Sequence, residues 1–253
     1  TDDGQTDTAP GVRTRPRVVM DDMLKEEDIY RIRLMELKEA DRVAIVFRDN
    51  LINRFIEKRR GLGDFREEAF VDRFRRADNV AQARYILRNT DRDDYDIRDD
   101  ILIKNDPKVL LEFRRNIWPL IAQNCASPSC HGGVEPRGGF KLYNTSRTNE
   151  RVVYTNFYIL QGWKKDGRKI IDRGDPSDSL LLQFGLPPKY AHSPHPTRVD
   201  ATFNSVNDRQ YRIVRNWIKS LRWPLLRPGY RVKYDIPGLP KPTTRTRPSL
   251  FDD

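Results

Sequence analysis

A chain of 253 residues with 37% hydrophobic and 33% charged content is long enough for one large domain or two small ones. No apolar run approaches the roughly 20 residues of a spanning helix, so no transmembrane segment is expected and any membrane association would be peripheral. Forty-seven Lys and Arg against 37 Asp and Glu give a net charge of +10, but the signs are interspersed and there is no Lys block, RNP-like string or zinc-finger spacing; the charge reads as a solvated surface that could steer an acidic redox partner, not as a nucleic-acid footprint.

Residues 1–19 carry Pro10, Pro16 and mixed charges without apolar periodicity, and are expected to form an extended arm. A start at Thr1 fits an exported, processed chain as well as a trimmed one; the expected location is periplasmic or extracellular. Residues 20–105 read as a small α/β accessory domain. Ile32 and Leu34 alternate with Arg31 and Arg33, and Val43, Ile45 and Phe47 alternate further on. With a polar turn at Lys38–Asp41, these runs predict a hairpin. A helix over Leu24–Leu37 competes for the first run, because Leu, Met, Glu and Lys are strong helix formers.

Three helices follow. One is capped by Asp49, carries Leu51, Ile52, Phe55 and Ile56 on one face, and ends at Gly61 and Gly63. The next spans Asp64–Arg76 with Phe65, Ala69, Phe70 and Phe74, and the third Asn79–Arg88 with Val80, Ala83, Ile86 and Leu87. The aromatics at helical spacing read as core. Asp91–Asp100 is acidic and turn-like but lacks the Gly and terminal Glu of a calcium loop.

Asp106-Pro107 opens a helix whose apolar face, Val109, Leu110, Phe113, Ile117, Leu120 and Ile121, runs into Cys125. Cys125 and Cys130 are the two cysteines of the chain, and one of its three histidines, His131, follows at once. Haem attachment needs two thiols to add across vinyl groups and an imidazole beside the second thiol to reach iron. The usual gap between the cysteines is two residues and here it is four. A disulfide closing a small loop accounts for the spacing equally well. A zinc site would need His192 or His195 as fourth ligand, and no His–Asn constellation supports a catalytic thiol. Gly132 and Gly133 would free the backbone beside the ring.

The run Ile117-Trp118-Pro119-Leu120-Ile121 to Cys125, then Ser129-Cys130-His131-Gly132-Gly133, resembles the c-type cytochrome domains abundant in planctomycete secreted proteins. The similarity extends through Gly138-Gly139-Phe140, Tyr154-Thr155-Asn156-Phe157, Ile171 to Leu182 and Asn216-Trp217-Ile218, about residues 106–224. It implies a cytochrome-c-like helical domain with one haem c, held by thioethers at Cys125 and Cys130 and by His131 on the iron. All three Met precede the motif, whereas the distal ligand of such domains normally follows it. The downstream candidates stand in Pro187 to Pro196, a loop too rich in proline for a regular helix. His195, between Pro194 and Pro196, is the first choice and His192 the alternative; a Met ligand or an open site remains.

A last amphipathic helix starts at Asn207-Asp208 and carries Tyr211, Val214, Trp217, Ile218 and Leu221; the resemblance implies that it packs on the attachment helix. Residues 225–253 read as a Pro-rich extended arm that docks on a partner or stays mobile. The expected fold is mainly α, and the expected function is electron transfer to redox partner proteins within a larger assembly, without side-chain catalysis. The competing functions are a haem-free structural subunit with a Cys125–Cys130 disulfide and a peroxidase-like haem enzyme.

Overall fold

Ile32 and Leu34 lie in a helix, α1 (Glu26–Glu36), not in a strand. The computed structural model describes residues 20–146, 148–226 and 229–239; the arm expected over 1–19 lies outside them, as does the stretch 240–253. Glu26, Glu27 and Asp28 occupy the first turn of α1, where carboxylates favour the positive end of the helix dipole. Ile29, Ile32, Leu34 and Met35 are all buried, so the helix is covered on several sides and its apolar residues need not keep one face. The hairpin is therefore corrected. The second run does form a strand, β1 (Ile45–Phe47), but its antiparallel partner is β2 (Ile101–Ile103), with Val46 opposite Leu102.

Between those strands stand α2 (Leu51–Arg59), α3 (Glu68–Arg76) and α4 (Asn79–Arg88). Asp78 caps α4 by accepting from the Ala81 N–H at 2.8 Å, as short polar side chains do at helix starts. The residue at the start of α2 is Asn50, left-handed and without a side-chain cap bond, rather than Asp49. Phe55, Phe65, Phe70, Phe74 and Tyr85 form an aromatic knot; Phe55 meets Phe65 edge-on at 5.6 Å. Edge-on contacts of this kind add to plain area burial. The short helix α5 (Tyr95–Asp99) leads into β2.

The helix entering the cysteine motif runs in three pieces, α6 (Lys108–Glu112), a π turn (Phe113–Ile117) and α7 (Trp118–Asn124). Pro119 explains the π turn. Its ring would press on the carbonyl four residues back and it has no N–H to bond there, so the helix widens and the Trp118 N–H donates to the Phe113 carbonyl. The widened turn buries both Ile117 and Trp118. Against this rod lie α8 (Glu150–Gly162) and α10 (Arg209–Ser220). Trp217 of α10 stacks on Phe113 at 5.3 Å and donates to the Val109 carbonyl at 3.0 Å, so α10 packs, as expected, on the helix that leads into Cys125. A two-stranded ribbon, β3 (Lys164–Lys165) with β4 (Arg168–Lys169), and α9 (Leu180–Gln183) complete the body.

A single apolar cluster runs from Leu24 and Ile29 through Phe113, Trp118 and Phe157 to Trp217. The boundary expected at 105/106 is thus spanned by shared core. Two charge networks reinforce it. Arg33 is bound by Asp106 at 2.7 Å and Glu150 at 2.5 Å, with Arg114 joining both carboxylates. Glu36, fully buried, takes Arg173 at 2.8 Å and the Tyr230 hydroxyl, and accepts from the Arg222 N–H at 3.0 Å. Tyr230 belongs to the expected C-terminal arm. Residues 229–239 pack on their own body instead, with Tyr230 buried and Tyr234 and Ile236 against the core.

Glu36→Ala leaves the Arg173 charge buried without its partner carboxylate. Loss of one partner of a buried pair costs about 3–5 kcal/mol, which urea unfolding of the variant against the parent chain measures.

Candidate functional site

The α7 rod ends at Asn124, and the chain turns back on itself over Cys125–Gly133. The Cys125 N–H completes the helix by donating to the Ile121 carbonyl at 2.8 Å. Ala126 is buried, and its carbonyl accepts from Asn144 Nδ2 at 2.9 Å. The Ser127 carbonyl then accepts from the N–H groups of both Cys130 and Gly132, at 3.0 and 2.9 Å, while the His131 N–H returns to the Cys125 carbonyl at 3.2 Å. These bonds fold the four intervening residues into a turn. Pro128 and Ser129 are exposed at its tip, and Cys125 and Cys130 both line the same cavity.

Gly132 matters here for closeness rather than for freedom of rotation. A Cβ on it would lie 2.1 Å from the Ala126 carbonyl oxygen, and one on Gly133 2.3 Å from that of Pro128. Neither glycine has a positive φ.

The cavity occupies about 1340 Å³, solvent at its mouth included. Cys125, Cys130 and His131 form one side. Leu120, Phe140, Leu142, Leu160, Trp163, Ile170 and Phe184 supply apolar walls, and His195, Pro196 and Phe203 close the other side. The two imidazole rings are neighbours, with centroids 6.2 Å apart and planes at 53°. A metal ion held by two imidazoles at about 2 Å each sets their centroids roughly 6 Å apart.

Each ring is oriented through its Nδ1. That of His131 lies 3.1 Å from the carbonyls of both Arg137 and Phe140, and that of His195 lies 2.9 Å from the Thr197 carbonyl. The His195 Nδ1 also meets the Thr197 N–H at 3.3 Å and the Thr197 Oγ1 at 3.2 Å, so Thr197 fixes that ring's orientation but not its tautomer. The His131 Nδ1 meets carbonyls, which accept only, so that ring carries its proton on Nδ1 and presents an unprotonated Nε2. This is how metal-bound histidines are ordinarily held. The strand of chain that orients His131 is itself pinned: the buried Asn156 side chain accepts from the Tyr143 N–H and donates to the Tyr143 carbonyl, each at 2.8 Å.

Burial holds the His131 imidazole below its usual pKa. The neighbouring His195 adds to this, and the hydrogen bonds to Phe140 and Arg137 work against it. The ring is thereby kept neutral, the state in which it can donate a lone pair. Burial, and secondarily Cys130, pushes the Cys125 thiol up to about 12, so Cys125 is a protonated thiol rather than an activated nucleophile. The two sulfurs are not bonded to each other.

These positions answer the sequence expectations one by one. Cys125, Cys130, His131 and His195 are brought together. His192 is not; it is exposed, stands outside the cavity, and bonds Asp178 at 2.7 Å. Met23 and Met35 are buried in the core, and no Met lines the cavity. Among the described residues no three His, Cys, Asp or Glu gather closely enough to hold a metal ion by themselves. An apolar planar macrocycle that brings its own equatorial ligands and asks the chain for two imidazoles and two thiols fits this donor set.

Phe140 entered the sequence reading only as part of the family-like string and not as a wall of the site, and the carbonyls behind the His131 ring escaped it, since backbone acceptors leave no residue-type signature. Comparison with protein families, with curated proteins and with solved structures returned no match.

Gly132→Ala forces the turn off the Ala126 carbonyl, an overpacking cost of about 1–3 kcal/mol. Gly138→Ala has open space around its added methyl but a φ of +66°, costing about 1–2 kcal/mol by strain alone. Thermal unfolding is expected to place Gly132→Ala below Gly138→Ala, and amide hydrogen exchange over residues 125–133 is expected to accelerate only in the former.

Proposed function

We propose that this chain is an electron-transfer protein carrying one covalently attached c-type haem, exported to the periplasm or beyond and serving redox partner proteins in a larger assembly. The observation that carries the reading is one apolar cavity lined by both thiols and by two neighbouring imidazoles, of which His131 has its Nδ1 proton engaged by carbonyls and its Nε2 unprotonated. Cys125 and Cys130 would form the thioethers, and His131 and His195 would hold the iron.

Such a haem supplies a one-electron iron couple, and two imidazoles give it a lower potential than an imidazole–thioether pair would. The chain's own part is to position and to exclude. The Arg137 and Phe140 carbonyls hold the His131 ring in one tautomer, and Thr197 orients the ring of His195. Phe140, Leu142, Trp163 and Phe184 give the interior apolar walls, and an apolar shell influences both potential and ligand strength. Arg137 and Lys165 line the same cavity and, with the net positive charge, favour an acidic partner. The proposal assigns no side-chain catalysis to the chain.

Purified full-length protein is expected to show a Soret band and a six-coordinate low-spin spectrum, with an intact mass raised by one haem. A mass lowered by two hydrogens and no visible absorption would instead establish the haem-free disulfide form. His195→Ala is expected to convert the ferric spectrum to high-spin; a spectrum unchanged by that substitution would remove His195 from the ligand set.

A further inference from the structure

His192 lies three residues before His195 in a proline-rich loop, and it is tied down at both ends of the residue. Its Nε2 donates to Asp178 Oδ1 at 2.7 Å, and its backbone N–H donates to Gln183 Oε1 at 3.1 Å. Neither partner is loose. Asp178 is also held by Arg168 Nη2 at 2.5 Å, and the buried Gln183 donates onward to the Ser177 carbonyl at 2.8 Å. Asp178 is kept below the usual carboxylate range first by the His192 bond and then by Arg168. The loop is anchored again beyond His195, where the Phe203 N–H donates to the Gly185 carbonyl at 2.9 Å.

Between these anchors the chain from 193 to 202 makes few attachments of its own. His195 bonds only Thr197, its near neighbour, and touches Phe184 edge-on at 5.2 Å. Thr197 orients the ring relative to the loop but cannot fix the loop relative to the cavity. That placement falls to the anchors.

We propose that His192, clasped by Asp178 and Gln183, is a positioning residue that latches the loop so that His195 stands opposite His131. The proposal rests on the haem reading above for the role of His195, but the latch itself is a property of this chain's own contacts. A His192 side chain removed from Asp178 leaves the loop fastened at Gly185 and by one backbone bond, and the population with His195 in place falls. An external ligand competing for that face then binds in proportion to the fraction displaced.

The test uses the full-length protein as purified, with His192→Ala, His192→Gln and His195→Ala beside the parent. Cyanide binding to the ferric protein is followed in the Soret region, and hydrogen exchange of residues 192–203 is measured against α8 as an internal standard. His192→Ala is expected to speed cyanide binding about tenfold, to add a high-spin component, and to accelerate exchange over 192–203 while α8 is unchanged. His192→Gln, whose amide can donate from near the Nε2 position, is expected to restore both. A His192→Ala protein with parental cyanide kinetics and parental exchange would overturn the latch, as would equal acceleration throughout α8. If the parent carries no chromophore, the functional reading fails by itself, and the exchange measurement still decides whether His192 holds the loop.

Discussion

Two buried charges on α1, Arg33 and Glu36, hold this molecule to one arrangement. Each is taken out of water, and each finds its partners outside residues 20–105: Arg33 in Asp106 and Glu150, Glu36 in Arg173, Tyr230 and the Arg222 backbone. A buried ion is costly unless it is matched, so neither half of the chain can move away from the other without exposing or orphaning a charge. An aliphatic replacement for such a network can be as stable as the network itself. What apolar contacts do not offer is direction. The Arg33 fork meets a residue at the mouth of α6 and one at the first turn of α8, and it thereby sets the two helices whose far ends build the cavity: α6 continues through the π turn to Cys125, and α8 ends beside Trp163. The accessory region is in this sense part of the site, though none of its side chains lines the cavity.

Inside the cavity the logic is reversed. The walls are apolar, and the groups that orient the two imidazoles are backbone carbonyls at His131 and the Thr197 peptide and hydroxyl at His195, rather than carboxylates. A carboxylate behind a metal-bound imidazole draws its proton and makes the ring a stronger donor; a carbonyl fixes the tautomer with much less electronic push. It also adds no formal charge to a region where burial already disfavours the imidazolium form of His131. Under the proposed reading, ring orientation and neutrality come from the course of the backbone. The residues that determine that course, such as Asn156 on the Tyr143 peptide groups, stand behind the cavity rather than in it.

Much of this was legible in the chain. Asn79–Arg88 and the α10 segment declared themselves because each has a capping Asp and a single apolar face. The Cys125–His131 string and the Pro-His-Pro loop marked the candidate site. What stayed hidden shares a physical cause. Helix α8 is buried on most sides, so it lacks the polar face that periodicity needs. The pairing of β1 with β2 joins segments separated by four helices, and no local turn announces it. The hairpin reading of Ile32 and Leu34 failed for a related reason: with charged residues as well as apolar ones buried, Arg31–Arg33 alternation mimicked a strand face while Arg33 was in fact an interior ion.

The four-residue gap between the cysteines was the least ordinary feature of the motif, and its resolution lies in turn geometry. Ser127 accepts from two N–H groups at once, which draws the Cys130 and Gly132 amides onto one carbonyl and turns Pro128–Ser129 outward. The extra residues are spent on the surface side of the turn, and the inner side keeps Cys125, Cys130 and His131 along one wall. The adjacency of Cys130 and His131 has no such slack, because no residue between them could be looped out without turning one side chain away from the cavity. Gly132 completes the constraint from the other end: the carbonyl of Ala126 approaches where its Cβ would be, so the turn can close only over a residue that has none. Gap length in such a motif is therefore negotiable wherever a turn can absorb it, whereas the Cys-His-Gly sequence that follows is bound by contact distances.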